Sequence, residues 1–241
     1  MAALDEKVVL IAGGAGEVGE GLVRGFLRNG ATVIVPSRSA DKLDQLHRQV
    51  DQYGLERLVT LVADTGTLTG VETLRDHVGR VVGQIDAVVA SLGGWWQGQP
   101  LTEISVDLWH QLIDQGLTAH FVFARTFLPV IADQPGSSYT LINGAGALSA
   151  VPQAGPISIS AAAQLMLKDV LAAEYENSRV RINSLVLATP VVTRSRPKGR
   201  VNWLTADAAG EYAAFLASDA ALNLRGETII FKDKKQLEEL P

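Results

Sequence analysis

Short runs of apolar, β-branched residues alternate with amphipathic stretches along the chain. Such runs are typical of strands buried on both faces, and the amphipathic stretches have the spacing of helices. The predicted strands are KVVLIA (7–12), ATVIVP (31–36), RLVTLVA (57–63), IDAVVAS (85–91), YTLING (139–144), VRINSLVL (180–187) and ETIIFK (227–232). The predicted helices lie near residues 17–29, 40–52, 67–80, 104–130, 157–177 and 205–218.

This alternation predicts an α/β fold. We expect one Rossmann-type domain over residues 1–241, with a doubly wound parallel sheet of about seven strands and helices on both faces. Right-handed crossovers between the strands then place a ligand site at their carboxyl ends. The sequence contains no internal repeat, low-complexity tract or linker that would indicate a second unit.

Composition narrows the classes of partner. The net charge of −5 gives no reason to expect nucleic-acid binding, and the absence of cysteine excludes disulfides and thiolate chemistry. The short apolar run after Asp5 and Glu6 does not indicate a secretory signal. The uncharged stretch 134–167 is broken by glycine and proline, so it does not predict a membrane span. We therefore expect a cytoplasmic protein without a metal site.

A glycine-rich turn follows the first predicted strand. Gly13, Gly16 and Gly19 recur at intervals of three, and Gly14, Gly16 and Gly19 satisfy G-x-G-x-x-G. A preceding strand and a following helix are the context of a phosphate-binding turn, in which helix N–H groups face the anion. The alternative is a tightly packed strand–helix turn that binds nothing; the context favours nucleotide binding. A carboxylate at Glu17 suits a helix N-terminus but opposes a nearby phosphate.

The end of the second predicted strand bears on the choice of nucleotide. An NAD site of this type has an acidic residue there for the ribose 2′-OH, and this chain has Ser37 and Arg38 instead. A hydroxyl and a guanidinium suit a 2′-phosphate. A solvated arginine at a helix start is the alternative. The sequence favours NADP(H) over NAD(H).

The stretch 140–174 resembles the active-site segment of the short-chain dehydrogenases/reductases, usually written IxxSSxxGxxxxPxxxxYxASKAAxxxLxxxLAxE. The positions that match without a gap are Pro152, Ser160, Leu167, Leu171, Ala172 and Glu174. The resemblance extends over residues 7–232 and implies the family's Rossmann-type fold.

In the same register, the family's four reactive positions carry inert residues. Gly116 stands at the asparagine, Gly144 at the serine, Ile157 at the tyrosine and Ala161 at the lysine position. In the family the tyrosine transfers the substrate proton, the lysine lowers its pKa, the serine polarises the carbonyl and the asparagine completes the relay. The catalytic residues of this chain therefore stay unknown.

The resemblance also implies cofactor contacts. Asp64 and Thr65 match a strand-end pair that contacts adenine, and Ser91 and Gly93 lie where the family has N-N-A-G beside the ribose. The predicted cofactor-binding set is Gly13, Ala15, Gly16, Glu17, Val18, Gly19, Ser37, Arg38, Asp64, Thr65, Ser91 and Gly93.

Several polar or aromatic residues near the site have two interpretations. His120 lies one turn beyond Gly116, where packing is the commoner role of a single histidine. Trp95 and Trp96 would stack on a flat ligand or cap the core edge. Four cations occupy the position of the family's substrate lid and would hold an anion or form a solvated loop: Arg194, Arg196, Lys198 and Arg200.

Two hypotheses of function remain open. In one, the protein is an atypical NADP(H)-dependent oxidoreductase that acts on a small molecule without the tyrosine–lysine relay, with water as the proton source. In the other, it is an inactive relative that serves as a nucleotide sensor or oligomerisation partner, and a cofactor is then not required. A non-redox enzyme that reuses the pocket is a weaker third. We also expect a homo-oligomer, a dimer or tetramer, formed through the helices near 104–130 and 157–177.

Overall fold

A central sheet of seven parallel strands organises the computed structural model, which describes residues 3–240. The main strands are β1 (Val8–Ala12), β2 (Thr32–Ser37), β3 (Leu58–Val62), β4 (Ala87–Ala90), β5 (Ser138–Gly144) and β6 (Arg181–Leu187). Two short strands follow, β7 (Val191–Val192) and β8 (Leu204–Thr205), and then β9 (Thr228–Phe231). The order in the sheet is β3-β2-β1-β4-β5-β6-β9. All seven predicted strands are present, and the predicted fold class is confirmed.

Seven α-helices connect and cover the strands in the described part of the chain. They are α1 (Gly19–Arg28), α2 (Ala40–Val50), α3 (Leu68–Val81), α4 (Val106–Ile113), α5 (Ala119–Ile131), α6 (Gly155–Glu174) and α7 (Ala206–Ala217). Within residues 3–240, no helix combines the length and apolar character needed to cross a membrane.

The alternating direction of side chains along each strand divides the core into two layers. Val9 and Ile11 of β1 pack in the layer that contains α1 and α7, whereas Leu10 and Ala12 pack in the layer that contains α3 and α5. Because both faces of the central strands are covered, their sequences are continuously apolar rather than alternating.

The structure differs from the predicted elements at two places beside the site. A π-helical turn at Asp114–Thr118 separates α4 from α5, so the predicted helix 104–130 is interrupted. The segment at the position of the family's substrate lid is flanked by two short strands, β7 and β8, which pair in parallel. Strand order reverses between β1 and β4, which places a crevice at their carboxyl ends.

Candidate dinucleotide-binding and active site

The glycine-rich turn packs directly against the loop after β4. Gly13 has a φ of +81°, and a Cβ there would lie 2.0 Å from the carbonyl oxygen of Ser91. A Cβ on Gly19 would lie 2.0 Å from the carbonyl oxygen of Gly13. Only glycine fits these two positions, so the turn can be this tight only with the residues that the sequence supplies. The structure thereby brings Gly13, Gly19 and Ser91 together.

The backbone of this turn presents donors at the start of α1. The N–H of Gly16 donates to the carbonyl of Gly13 at 2.9 Å, whereas those of Glu17 and Val18 have no acceptor within residues 3–240. The side chains of Ala15 and Val18 are partly buried and pack against the core. Unpaired N–H groups at a helix N-terminus fit a phosphate group.

The Glu17 side chain turns towards residues 193–196. Its Oε2 accepts from the backbone N–H of Ser195 at 3.0 Å, and its Oε1 lies 3.3 Å from Nη2 of Arg194. Partial burial raises the pKa of Glu17, but the hydrogen bonds from Ser195 and Thr193 and the charge of Arg194 outweigh burial and lower it. The repulsion expected between Glu17 and a phosphate is therefore offset by a neighbouring cation.

Arg38 follows β2 and Asp64 follows β3, and both residues lie beside the same loop. Asp64 accepts from the hydroxyl of Thr67 at 2.7 Å and from the N–H of Gly66 at 2.9 Å. These hydrogen bonds, with a smaller effect of the Arg38 charge, lower the pKa of Asp64 although burial opposes them. Arg38 is exposed and forms no hydrogen bond or ion pair within the described residues. Its guanidinium is therefore available for an anionic ligand.

Two further residues of the predicted cofactor-binding set, Ser37 and Thr65, are partly buried. The Oγ of Ser37 accepts from the N–H of Ser39 at 3.2 Å, which leaves the Ser37 hydroxyl hydrogen for a ligand. Thr65 lies in the loop beside Asp64 and is half-buried.

Three elements meet around Gly116, which lies in the π-helical turn. A Cβ on Gly116 would lie 2.5 Å from Oγ of Ser160 on α6, and a Cβ on Gly93 would lie 3.3 Å from Cα of Gly116. Gln164 donates to the same Ser160 hydroxyl at 3.3 Å. The Ser160 hydroxyl thus occupies the space that a side chain at position 116 would need.

Sequence reasoning missed the π-helical turn and Gln164. The position of Gln164, four residues after Ser160 on one helix face, was the available signal for this contact. Short π-helical insertions are frequent at functional sites.

The other three family positions lie between the end of β5 and the start of α6. Gly144 is exposed, and no atom lies within 4 Å of the position of a Cβ on it. Ala161 is buried and its carbonyl accepts from Nδ2 of Asn143 at 2.8 Å, while Ile157 is half-buried in the first turn of α6. The structure thus has an open space beside Gly144, and positions 144, 157 and 161 present no ionisable side chain to it.

Two buried ionisable side chains, one on α5 and one on α6, are held by contacts of their own. His120 is fully buried, its Nε2 lies 3.3 Å from the carbonyl oxygen of Leu92, and burial lowers its pKa to about 4. Lys168 is also buried; its Nζ donates to the carbonyl of Gly226 at 2.6 Å and contacts the Asp169 carboxylate. Both are packed side chains. Within residues 3–240, no cluster of three or more potential ligand side chains could hold a metal ion.

The loop that carries the paired tryptophans is tied to the segment before α6. The N–H of Gly98 donates to the carbonyl of Gln153 at 2.9 Å, and the side chain of Gln97 donates to the carbonyl of Pro152 at 3.0 Å. Trp95 is 61% exposed, so it does not cap the core edge. Its indole is accessible to a ligand.

A glycine-rich strand–helix turn at the strand-order reversal of a parallel sheet is the arrangement of a Rossmann-type α/β protein. The family model for the short chain dehydrogenases matches residues 7–200, and the chain belongs to this family. The fold of this family binds a nicotinamide dinucleotide.

Known relatives are similar over most of the chain. A Mycobacterium tuberculosis protein named as a hydroxy-methyl-oxo-hexahydro-indene-carboxyl-CoA reductase is 29% identical over 250 residues, covering 94% of this chain and 92% of its own length. A Bos taurus protein, dehydrogenase/reductase SDR family member 4, is 26% identical over 182 residues, which are 76% of this chain and 65% of that protein.

Solved structures share the fold at lower identity. A short-chain dehydrogenase/reductase from Burkholderia xenovorans superposes with a TM-score of 0.87 at 22% identity, covering 96% of this chain and 97% of its own. A Shigella flexneri 2a short chain dehydrogenase, described as complexed with NADP, has a TM-score of 0.84 at 19% identity, covering 95% and 98% of the two chains.

Proposed function

We propose that the protein is an NADP(H)-binding oxidoreductase that acts on a small molecule without a tyrosine–lysine relay. The observation that carries the nucleotide preference is Arg38 just after β2, which is exposed and has no ion pair within residues 3–240, at a place where an acidic residue would favour NAD(H). The nearby Asp64 carboxylate has its hydrogen-bond donors in its own loop. Arg38 is therefore the group best suited to bind a 2′-phosphate.

Each part of the site has a role in this proposal. The N–H groups of Glu17 and Val18 hold the pyrophosphate, and Ser37 with Arg38 holds the 2′-phosphate. The bound dinucleotide supplies or accepts a hydride at its nicotinamide. The open space beside Gly144 admits a substrate, and Ile157, at the family's tyrosine position, has no group that exchanges a proton. Solvent then supplies the proton, so an activated acceptor is the expected substrate class.

A non-catalytic nucleotide sensor is the second candidate. It is favoured by the Ser160 hydroxyl, which lies only 2.5 Å from where a Cβ at position 116 would lie. That arrangement leaves no room for a relay side chain at position 116. Such a protein would bind the dinucleotide and show no turnover with any acceptor.

A titration of the purified protein with NADPH and with NADH, followed by binding heat, tests the nucleotide preference. We expect NADPH to bind more tightly. Because a charge-assisted hydrogen bond contributes about 1.5–3 kcal/mol, Arg38→Gln should weaken NADPH binding about 10- to 100-fold and leave NADH unchanged. The matched control is Arg80→Gln, which removes an exposed guanidinium from the last turn of α3. Equal affinity for both nucleotides would contradict the preference, and binding of neither would contradict the proposed function.

A further inference from the structure

Residues 193–203, here called the lid, form an excursion between β7 and β8. The first residues of the lid form a turn in which the N–H groups of Thr193 and Arg196 each donate to the other residue's carbonyl at 3.1 Å. Gly199 lies against Val192 and Trp203, so the lid folds back on its own base. This segment carries four cations and lies next to the phosphate-binding turn.

One lid cation is held by two carboxylates from the start of α1. Arg194 reaches Glu17 through Nη2 and Glu20 through Nε, both at 3.3 Å. Glu20 is only 3% exposed, and the same Oε1 accepts from Gln45 of α2 at 2.9 Å. A carboxylate as buried as Glu20 is strongly unfavourable without a cationic partner. Glu20 therefore joins α1 to α2 through Gln45 and to the lid through Arg194.

The neighbouring charges make this pairing specific. Arg24, which faces the same groove, has its guanidinium on Asp207, where the Nε–Oδ1 distance is 2.7 Å. Arg194 is then the cation that the described residues supply to Glu17 and Glu20. The other three lid cations, Arg196, Lys198 and Arg200, are exposed and form no ion pair within residues 3–240.

We infer that Glu17 is a positioning residue: with Arg194 and the N–H of Ser195 it forms a latch that holds the lid on the phosphate-binding turn before any ligand binds. Both carboxylate oxygens of Glu17 are used, one by each partner. A lid that is already ordered loses little conformational entropy when a dinucleotide arrives, so the latch moves this cost from binding into folding. The inference concerns a residue in the turn of the proposed cofactor site, but it does not require the cofactor to be NADP(H).

Limited proteolysis of the nucleotide-free protein tests the latch. Trypsin cleaves after exposed lysine and arginine, and the Lys198–Gly199 bond lies in the lid beyond the latch. Cleavage of this bond, followed by mass spectrometry, reports how often the lid detaches when opening is fast relative to cleavage. For Glu17→Gln we expect an increase of about three- to tenfold, because a half-exposed ion pair and a charged hydrogen bond are lost.

A double-variant comparison separates the latch from a general loosening of the chain. Arg194→Gln should also increase cleavage, and the double variant Glu17→Gln/Arg194→Gln should cleave more slowly than the product of the two single effects, because the Glu17–Arg194 ion pair can be lost only once. The control is Glu72→Gln, which removes another half-exposed carboxylate, on α3, from its ion pair with Arg125 of α5 at 3.4 Å. It should cleave like the wild type.

Two results would overturn the inference: an unchanged cleavage rate in Glu17→Gln, or effects of the two single variants that multiply in the double variant. Equal thermal unfolding midpoints of the wild type, Glu17→Gln and Glu72→Gln exclude a global loss of structure as the cause of faster cleavage in Glu17→Gln. Because no nucleotide is present, failure here is distinct from failure of the NADPH titration. A latched lid in a protein that binds no nucleotide would leave this inference standing and remove the proposed function.

Discussion

One buried histidine beside the site makes the stability of the folded protein depend on pH. His120 packs beneath the loop after β4 and has no partner for its Nδ1 within the described residues. Burial lowers its pKa from 6.5 to about 4. The unfolded chain therefore binds a proton between these pH values while the folded protein does not.

We expect the wild-type protein to lose stability as the pH falls through this window. The unfolded state binds more protons there, so the free energy of unfolding decreases as pH is lowered from 6.5 to 4, by about 3 kcal/mol for a shift of this size. Urea unfolding of wild type and His120→Gln at pH 7 and pH 4.5 measures it: the variant should show the smaller pH-dependent loss. His110→Gln, on an exposed residue of α4, should keep the wild-type slope. Parallel slopes in wild type and His120→Gln would contradict the assignment.

Residue types indicated candidates at the site but not their partners. From the sequence, Glu17 is predicted to place an unfavourable charge beside a phosphate. In the structure its carboxylate is bound by Arg194, which lies 177 positions away along the chain. Ser160 matches the family pattern, yet its contact with Gly116 depends on how a π-helical turn meets α6. Periodicity predicts which face of an element is apolar; it does not predict which polar side chains meet across elements.

At the scale of elements, glycine sets how closely α1 and α7 approach. A Cβ on Gly210 would lie 2.1 Å from the carbonyl oxygen of Gly21, and a Cβ on Gly21 would lie 2.1 Å from the carbonyl carbon of Ala206. The two helix backbones are thus in direct contact. This contact supports the start of α1, where the glycine-rich turn ends.

Two glycine-to-alanine variants separate this packing from helix propensity. Gly210→Ala must push the helices apart and should destabilise the protein by about 3 kcal/mol. Gly79→Ala, on α3, meets nothing within 4 Å and should stabilise it by about 0.5–1 kcal/mol through helix propensity alone. Denaturant unfolding midpoints measure both. A higher unfolding midpoint for Gly210→Ala would show that the α1–α7 contact tolerates a methyl group.

At the scale of the whole molecule, two helices present an apolar surface. The exposed fractions are 49% for Phe121 on α5 and 42%, 62% and 46% for Ile159, Met166 and Val170 on α6. The three α6 residues recur near helical spacing and form one stripe. An apolar stripe of this kind in a charged, acidic protein is typical of an interface.

We therefore expect a homo-oligomer, a dimer or tetramer, that associates through α5 and α6. Met166→Glu places a charge at the most exposed apolar position of the stripe and should shift the assembly to smaller species at micromolar concentration. Sedimentation velocity measures this. Val81→Glu, at a 59% exposed position at the end of α3, is the matched control and should leave the assembly unchanged. A wild-type protein that sediments as a monomer would contradict the expectation.

The sequence by itself determined the elements, the class of fold and the location of the glycine-rich turn, because these depend on periodicity and on glycine spacing within short stretches. It also determined that positions 116, 144, 157 and 161 carry no reactive group. Only the tertiary structure decided that Ser160 fills the space beside Gly116, that His120 is fully buried and that Arg194 joins the lid to α1. These contacts join residues distant along the chain. They depend on the distances between packed elements, which no local pattern encodes.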